Sequence, residues 1–94
     1  MKRYSILHDM SKCYVCGTPF NLHIHEVYFG TGKRQLSIKY GCCVGLCARH
    51  HNMSNEGVHL NRALDLELKR DMQKKFKEVY PALDFLKIFG KNYL

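Results

Sequence analysis

Two short pairs of metal-ligating residues, Cys13-x2-Cys16 and Cys47-x2-His50, constrain the fold of this chain more than any other feature of its sequence. A gap of two residues lets both side chains of one tight turn reach a single ion, and two such turns supply the four ligands of a structural zinc site. Such a site ties the start of the chain to its middle across the 30 residues between the pairs. We therefore predict one structural zinc ion held by these four residues.

The other two cysteines, Cys42 and Cys43, complicate the ligand count. Because neighbouring residues on a strand point to opposite faces, at most one of them could easily join the zinc shell. We expect both in the core, where free cysteines often lie. The same ordinary interpretation, a small core residue, is the alternative to zinc binding for Cys13 and Cys16.

A chain of 94 residues needs such a metal staple. A single domain of this size, which we expect to span residues 1–94, buries too little apolar surface to be stable without a metal, disulfides or a partner. Five cysteines are an odd number and no signal segment precedes them, so we expect the reducing cytoplasm rather than a disulfide scaffold. No stretch approaches the roughly 20 apolar residues of a membrane helix, so no membrane association is expected.

The charge predicts a nucleic-acid partner. Fifteen lysines and arginines against eight acidic residues give a net charge of +7. The alternative is that this charge only keeps a small protein soluble. We expect contacts to nucleic-acid phosphates from Lys33 and Arg34 on a hairpin loop, Lys39 on the return strand and Arg49 between two zinc ligands. Most lysines and arginines of the long helix are expected to form a solvated face.

The apolar pattern predicts an α+β fold, a β-hairpin followed by a long helix and a short C-terminal helix. Residues 22–29 alternate and are rich in β-branched and aromatic types, and residues 35–41 resume the alternation after a Gly-Thr-Gly loop. From His59 to Tyr80 apolar residues recur every four positions, which predicts a helix that the next residue, a proline, breaks. A short helix is predicted over Ala82–Phe89, with Gly90 as its stop signal.

The segments CYVC, LHIHEVYFG and LCARHHN, in this order and with the helix behind them, resemble the HNH endonucleases. In these ββα-metal nucleases the active site is a hairpin followed by a helix. The likeness is closest at LCARHHN, where Cys47 and His50 take the two zinc positions and His51-Asn52 fall where the family's His-Asn stands. The overall pattern also resembles small phage-encoded proteins of this superfamily that carry a His-Glu-Val strand and a Gly-Val-His stretch.

The resemblance covers most of the chain. It implies a zinc-stapled ββα-metal fold and a metal-dependent endonuclease that hydrolyses DNA phosphodiester bonds in phage DNA processing or recombination. The location would then be the cytoplasm of a bacterial host. The zinc serves the fold, and a separate divalent ion, Mg²⁺ or another metal, serves the chemistry.

The resemblance also implies roles for the histidines. His51 supplies a ligand of the catalytic ion and Asn52 belongs to the active site, while the first strand supplies a general base and a second ligand. If His25 takes the first of the two strand positions it is the ligand, and Glu26 must be the base although its reference pKa is about 4.3. If His25 takes the second position it is the base, with a well-matched pKa, and Ile24 replaces the ligand. Both registers stay open.

The sequence departs from the family at a further point, because Cys42 or Cys43 stands where the family's middle Asn is expected. His59 lies at the predicted start of the long helix, where backbone N–H groups favour a bound phosphate, and it completes the metal site in this interpretation. Its alternative is a solvated residue at a helix start. For His23 we favour a strand histidine packed beside the hairpin.

Three functional hypotheses follow. The favoured one is the metal-dependent endonuclease. The second is a zinc-stapled module that binds nucleic acid without cutting it, with a nuclease site degenerate at Ile24 and at the missing Asn. The third is a zinc-dependent interaction protein whose apolar helices dock a protein partner or a second copy of the chain. The gathering of His25, His51 and His59 favours the first, because a pure binder needs no histidines at one hairpin–helix junction.

Overall fold

The computed structural model describes residues 3–53, 57–58 and 61–94. Within these residues lie two strands, three α-helices and a short π-helical turn between the second strand and the second helix. In chain order these are β1 (Leu22–Glu26), α1 (Lys33–Tyr40), β2 (Cys43–Cys47), the π-helical turn (Arg49–Met53), α2 (Arg62–Val79) and α3 (Phe85–Phe89).

The two strands form one antiparallel pair in which His25 lies opposite Val44 and Glu26 lies opposite Cys43. A long helix and a short C-terminal helix follow them along the chain. The structure thereby confirms a small α+β protein built on an antiparallel strand pair, as the apolar pattern predicted. It also confirms Cys42 and Cys43 as core residues, since both are fully buried.

The predicted position of the second strand is wrong. Residues 35–41 lie mostly in α1, and the second strand is β2, which begins only after the predicted strand ends. A glycine flanks each end of α1, Gly32 before its first residue and Gly41 after its last. Their φ angles, 80° and 73°, lie in the left-handed region, which glycine adopts readily and where the helix cannot continue. Every residue of β2 is buried, so this strand is a continuous apolar run without the alternation that identifies a half-buried strand.

The helix changes the setting of three basic residues. Lys33 and Arg34 lie in the first turn of α1 rather than on a hairpin loop, and Lys39 lies in its last turn rather than on a return strand. Buried Ser37 holds α1 against the chain that follows β1. Its hydroxyl donates a hydrogen bond to the carbonyl of Tyr28 (2.6 Å) and accepts one from the Tyr28 N–H (3.1 Å).

The long helix is confirmed as α2, although its predicted first residue, His59, lies outside the described residues. The helix starts after Asn61, whose side chain accepts a hydrogen bond from the N–H of Leu64 at 3.1 Å and so satisfies one N–H of the first turn. Its buried face follows the four-residue repeat at Leu68, Met72 and Phe76. Burial of this stripe attaches the helix to the rest of the fold.

The C-terminal helix is shorter than predicted. It begins at Phe85, because the carboxylate of Asp84 caps the first turn by accepting hydrogen bonds from the N–H groups of Leu86 and Lys87. The residues from Ala82 to Leu83 therefore belong to the turn after α2. The predicted stop is confirmed, since Gly90 ends the helix with φ of 78°.

An aromatic cluster joins the helices to the chain after β1. The rings of Tyr28 and Phe85 have centroids 5.1 Å apart, and those of Phe76 and Phe85 are 5.3 Å apart. Both contacts are edge-to-face, the arrangement that aromatic pairs favour. The Tyr28 hydroxyl also donates to the carbonyl of Lys69 at 2.6 Å. This cluster holds α2 and α3 in place behind the strand pair. Among the described helices, none is both long and apolar enough to cross a membrane.

Candidate metal centre and histidine cluster

The four predicted zinc ligands lie together. Their ligand atoms, the Sγ atoms of Cys13, Cys16 and Cys47 and a ring nitrogen of His50, are all within 4.8 Å of one another. The Cys16 and Cys47 Sγ atoms are 3.7 Å apart, and His50 Nδ1 lies 3.2 Å from Cys47 Sγ and 3.8 Å from Cys13 Sγ. In a tetrahedral site with Zn–S of about 2.3 Å, neighbouring ligand atoms are about 3.5 to 3.8 Å apart. These residues can hold a metal ion, and their chemistry and spacing fit structural zinc.

The first zinc turn is attached to the middle of β2. Gly17, with φ of 79°, closes the turn by donating its N–H to the carbonyl of Cys13 at 2.8 Å. The Tyr14 N–H donates to the carbonyl of Gly45 in β2, also at 2.8 Å. A Cβ atom at Gly45 would lie only 3.2 Å from the carbonyl oxygen of Met10, so a residue without a side chain allows this close approach. The strand thus presents Cys47 to the turn that carries Cys13 and Cys16.

The surroundings of Cys13 favour the ligand form of its thiol. Burial raises the pKa of this group, but hydrogen bonds from the backbone N–H groups of Cys47, Cys16 and Val15 outweigh the burial and lower the pKa to about 6. The thiolate is the form that binds zinc. The lowered pKa belongs to Cys13, whereas burial raises the pKa of the neighbouring thiol of Cys47.

The two core cysteines have the opposite setting. Burial raises the pKa of Cys42 to about 12 and that of Cys43 to about 11. Both thiols are neutral at physiological pH and lie outside the group of four ligands. The expectation that neither joins the zinc shell agrees with this geometry.

A second cluster, of histidines, lies beside the metal centre. His51, the residue after the zinc ligand His50, has its Nδ1 atom 3.0 Å from Nδ1 of His23. Its ring centroid is 5.3 Å from that of His25. His25 is buried and its ring also contacts Phe29 at 5.8 Å. The two strand histidines thus share one face of β1, as alternation predicted, and the π-helical turn brings His51 to that face. We call His23, His25 and His51 the histidine cluster.

The two neighbours of His25 on β1 have different surroundings. The buried carboxylate of Glu26 forms ion pairs with Arg3, at 3.0 Å, and with Arg34, at 3.4 Å. Ile24 is 46 % exposed and has no donor atom to offer a metal. Glu26 therefore ties the N-terminal arm and the start of α1 to the strand.

The other predicted site residues are distributed as follows. Arg49 is exposed in the π-helical turn, directly before His50. Lys39 is exposed at the end of α1, with its ammonium group 5.3 Å from the ring centroid of Tyr40. His59 and the side chain of Asn52 lie outside the described residues.

Sequence reasoning assigned no site role to His23. The signal was present in the alternation, since His23 and His25 were predicted to share one face. The sequence does not indicate that this face lies close to His51, because His51 is 28 residues further along the chain than His23. Only the pairing of β1 with β2, the strand that leads into the π-helical turn, brings the two together.

A surface groove of about 390 Å³ lies elsewhere, along α2 and α3. Its lining includes Lys77, Leu83, Asp84 and Leu86, and neither cysteine nor histidine. The groove is therefore separate from both the cysteine–histidine group and the histidine cluster.

The site is a Cys₃His group that can hold a metal ion, with a histidine cluster at its side, in a small α+β protein. Comparisons with models of protein families, with curated proteins and with solved structures found no match to this chain.

Proposed function

We propose that the protein is a metal-dependent endonuclease of the HNH type that hydrolyses DNA phosphodiester bonds, with phage DNA processing or recombination as its setting. The observation that carries the proposal is the histidine cluster beside the Cys₃His centre. It lies where the resemblance to HNH endonucleases expects a catalytic metal, between the first strand and the segment after the last zinc ligand.

The donor set of the cluster suits a divalent cation. His25 and His51 have ring centroids 5.3 Å apart, close to the roughly 5 Å expected of two imidazoles that share one ion at metal–nitrogen distances of about 2.1 Å. Imidazole nitrogens favour transition metals, whereas Mg²⁺ prefers oxygen ligands. A divalent ion bound here would supply a Lewis acid for the phosphate and would lower the pKa of a bound water. We assign His25 and His51 as its protein ligands.

The setting of Glu26 argues against this carboxylate as the general base. Two guanidinium groups already hold it, those of Arg3 and Arg34, so both of its oxygens are engaged in ion pairs. Alternation also directs its side chain away from the face that His25 shares with His23. We therefore propose that the site relies on its histidines, and on the divalent ion that they would hold, rather than on Glu26.

The zinc centre would fix the position of the catalytic histidine. His50 is a zinc ligand and His51 is its neighbour in the same π-helical turn. Binding of zinc to His50 and Cys47 would hold this turn against the end of β2 and so hold His51 beside His25. The same turn exposes Arg49, from which a DNA phosphate can be reached without any base contact. A net charge of +7 supports a phosphate-rich partner.

The test is cleavage of supercoiled plasmid by purified zinc-loaded protein with Mg²⁺, Mn²⁺, Ni²⁺ or no added divalent ion. A His51→Ala variant that retains its zinc and its far-UV circular dichroism is run beside the wild type. A matched control is Asn92→Ala, because Asn92 is exposed near the C-terminus and touches neither cluster.

We expect metal-dependent nicking by the wild type and by Asn92→Ala, and loss of nicking in His51→Ala. The proposal fails if wild type and His51→Ala leave the plasmid equally intact with every metal. If both proteins then still retard the plasmid in a gel, the zinc-stapled binding module replaces the endonuclease as the function.

A further inference from the structure

His23 has no role in the proposed function, yet it contacts His51 directly. Their Nδ1 atoms are 3.0 Å apart, a normal hydrogen-bond length, and the two rings are nearly perpendicular at 88°. His23 is exposed on β1, whereas His25 is buried on the same face. His23 therefore lies on the outer side of the cluster, with His51 between it and the buried strand histidine.

One proton must lie between the two Nδ1 atoms when both imidazoles are neutral, because a hydrogen bond needs one donor and one acceptor. If His23 donates, the proton of His51 is on Nε2, and that nitrogen has no lone pair for a metal. If His51 donates from Nδ1, its Nε2 atom carries the lone pair and can bind a cation. Only the second tautomer is compatible with His51 as a metal ligand through Nε2.

We infer that His23 is a positioning residue, which accepts the Nδ1–H of His51 and thereby holds the His51 ring and its tautomer ready for a divalent ion at Nε2. The inference rests on the proposed function only in taking His51 as a metal ligand. Histidine ligands generally donate their second N–H to an outer partner, most often a carboxylate, a carbonyl or water, and losing that partner weakens metal binding 10- to 100-fold. Here the imidazole of His23 is the outer partner.

The chain offers a pair of variants that separate the acceptor atom from the ring. His23→Asn keeps an acceptor, since the side-chain oxygen of asparagine occupies roughly the place of Nδ1. His23→Leu removes the acceptor and keeps bulk. Ile24→Asn is the matched control, because it adds the same polar group at the next position of the strand, where the side chain is 46 % exposed.

The experiment is isothermal titration of Ni²⁺ into zinc-loaded protein, with zinc content checked by native mass spectrometry before and after. The His51→Ala variant gives the background Ni²⁺ binding, because it lacks a proposed ligand of the second metal ion. We expect wild type, His23→Asn and Ile24→Asn to bind one Ni²⁺ with similar affinity, and His23→Leu to bind it 10- to 100-fold more weakly.

The inference is overturned if His23→Leu binds Ni²⁺ as tightly as the wild type, or if His23→Asn loses as much affinity as His23→Leu. Either result leaves the endonuclease proposal intact, because the wild type still binds a second ion. If the wild type binds no more Ni²⁺ than His51→Ala, the catalytic metal site itself fails and the inference fails with it.

Discussion

His50 and His51 are neighbours in one π-helical turn, yet their rings contact different clusters. His50 Nδ1 lies 3.2 Å from the Sγ atom of Cys47, whereas His51 Nδ1 lies 3.0 Å from His23 on β1. A change in the zinc shell should therefore reach the histidine cluster through one peptide bond.

Removal of the metal should unfold the protein. Structural zinc contributes apparent binding free energies of about 10 to 16 kcal/mol in zinc-finger peptides, which matches or exceeds the 5 to 15 kcal/mol that stabilises a typical domain. We expect Cys47→Ser to lose zinc and cooperative thermal unfolding, measured by metal analysis and circular dichroism. Cys43→Ala is the control, since Cys43 is buried outside the ligand group and should keep one zinc. A cooperative, unshifted melting curve for the metal-free protein would contradict this prediction.

The core cysteines should resist alkylation. Burial raises the pKa of Cys42 to about 12 and that of Cys43 to about 11, so the reactive thiolate is scarce at any pH below about 10. We expect iodoacetamide at pH 8 to leave both unlabelled in the zinc-loaded native protein and to label all five cysteines in guanidinium chloride with chelator. Peptide mass spectrometry gives the sites. Labelling of Cys42 or Cys43 in the native protein at the rate of a small-molecule thiol would show that they are not buried.

The Glu26→Gln variant should show whether the carboxylate of Glu26 has a structural or a catalytic role. The substitution removes the charge that holds Arg3 and Arg34, and because both arginines are about half exposed we expect a loss of only about 1 kcal/mol in urea unfolding. Nicking of plasmid should stay within about tenfold of the wild type once the protein is shown to be folded. A loss of roughly 10² to 10⁴ in rate with little loss of stability would instead identify Glu26 as the general base.

Phe76→Ala should cost the most stability of any single change in α2. The ring is fully buried and contacts Phe85 at 5.3 Å and Phe89 at 6.0 Å. Truncation of such a ring destabilises by about 3 to 5 kcal/mol. The control is Val79→Ala in the same helix, where a side chain 43 % exposed should change the free energy of unfolding by no more than about 0.5 kcal/mol. Equal urea midpoints for the two variants would be incompatible with this core.

The parts of the fold that the sequence predicts well depend on short-range spacing. The zinc ligands pair within two tight turns, and the stripe of Leu68, Met72 and Phe76 follows the helical repeat. Both kinds of pattern are complete within a few residues. The sequence therefore suffices for the metal centre and for α2.

The parts that it predicts poorly depend on tertiary context. The alternation over residues 35–41 fits a strand, but the segment forms α1 because Ser37 bonds to Tyr28 and glycines close both ends. β2 has no alternation, since both of its faces are buried. The contact of His23 with His51 requires the register of β1 on β2, which no local pattern contains.

Anomalous diffraction from crystals of zinc-loaded protein soaked in Mn²⁺ or Ni²⁺ tests the central claim most directly. The claim is that one chain holds two different metals in two neighbouring places. We predict a zinc peak among Cys13, Cys16, Cys47 and His50, and a separate peak of the soaked metal between His25 and His51. A zinc peak alone, with no second ion at the histidine cluster under any soak, would contradict the claim and leave a zinc-stapled protein without a catalytic metal.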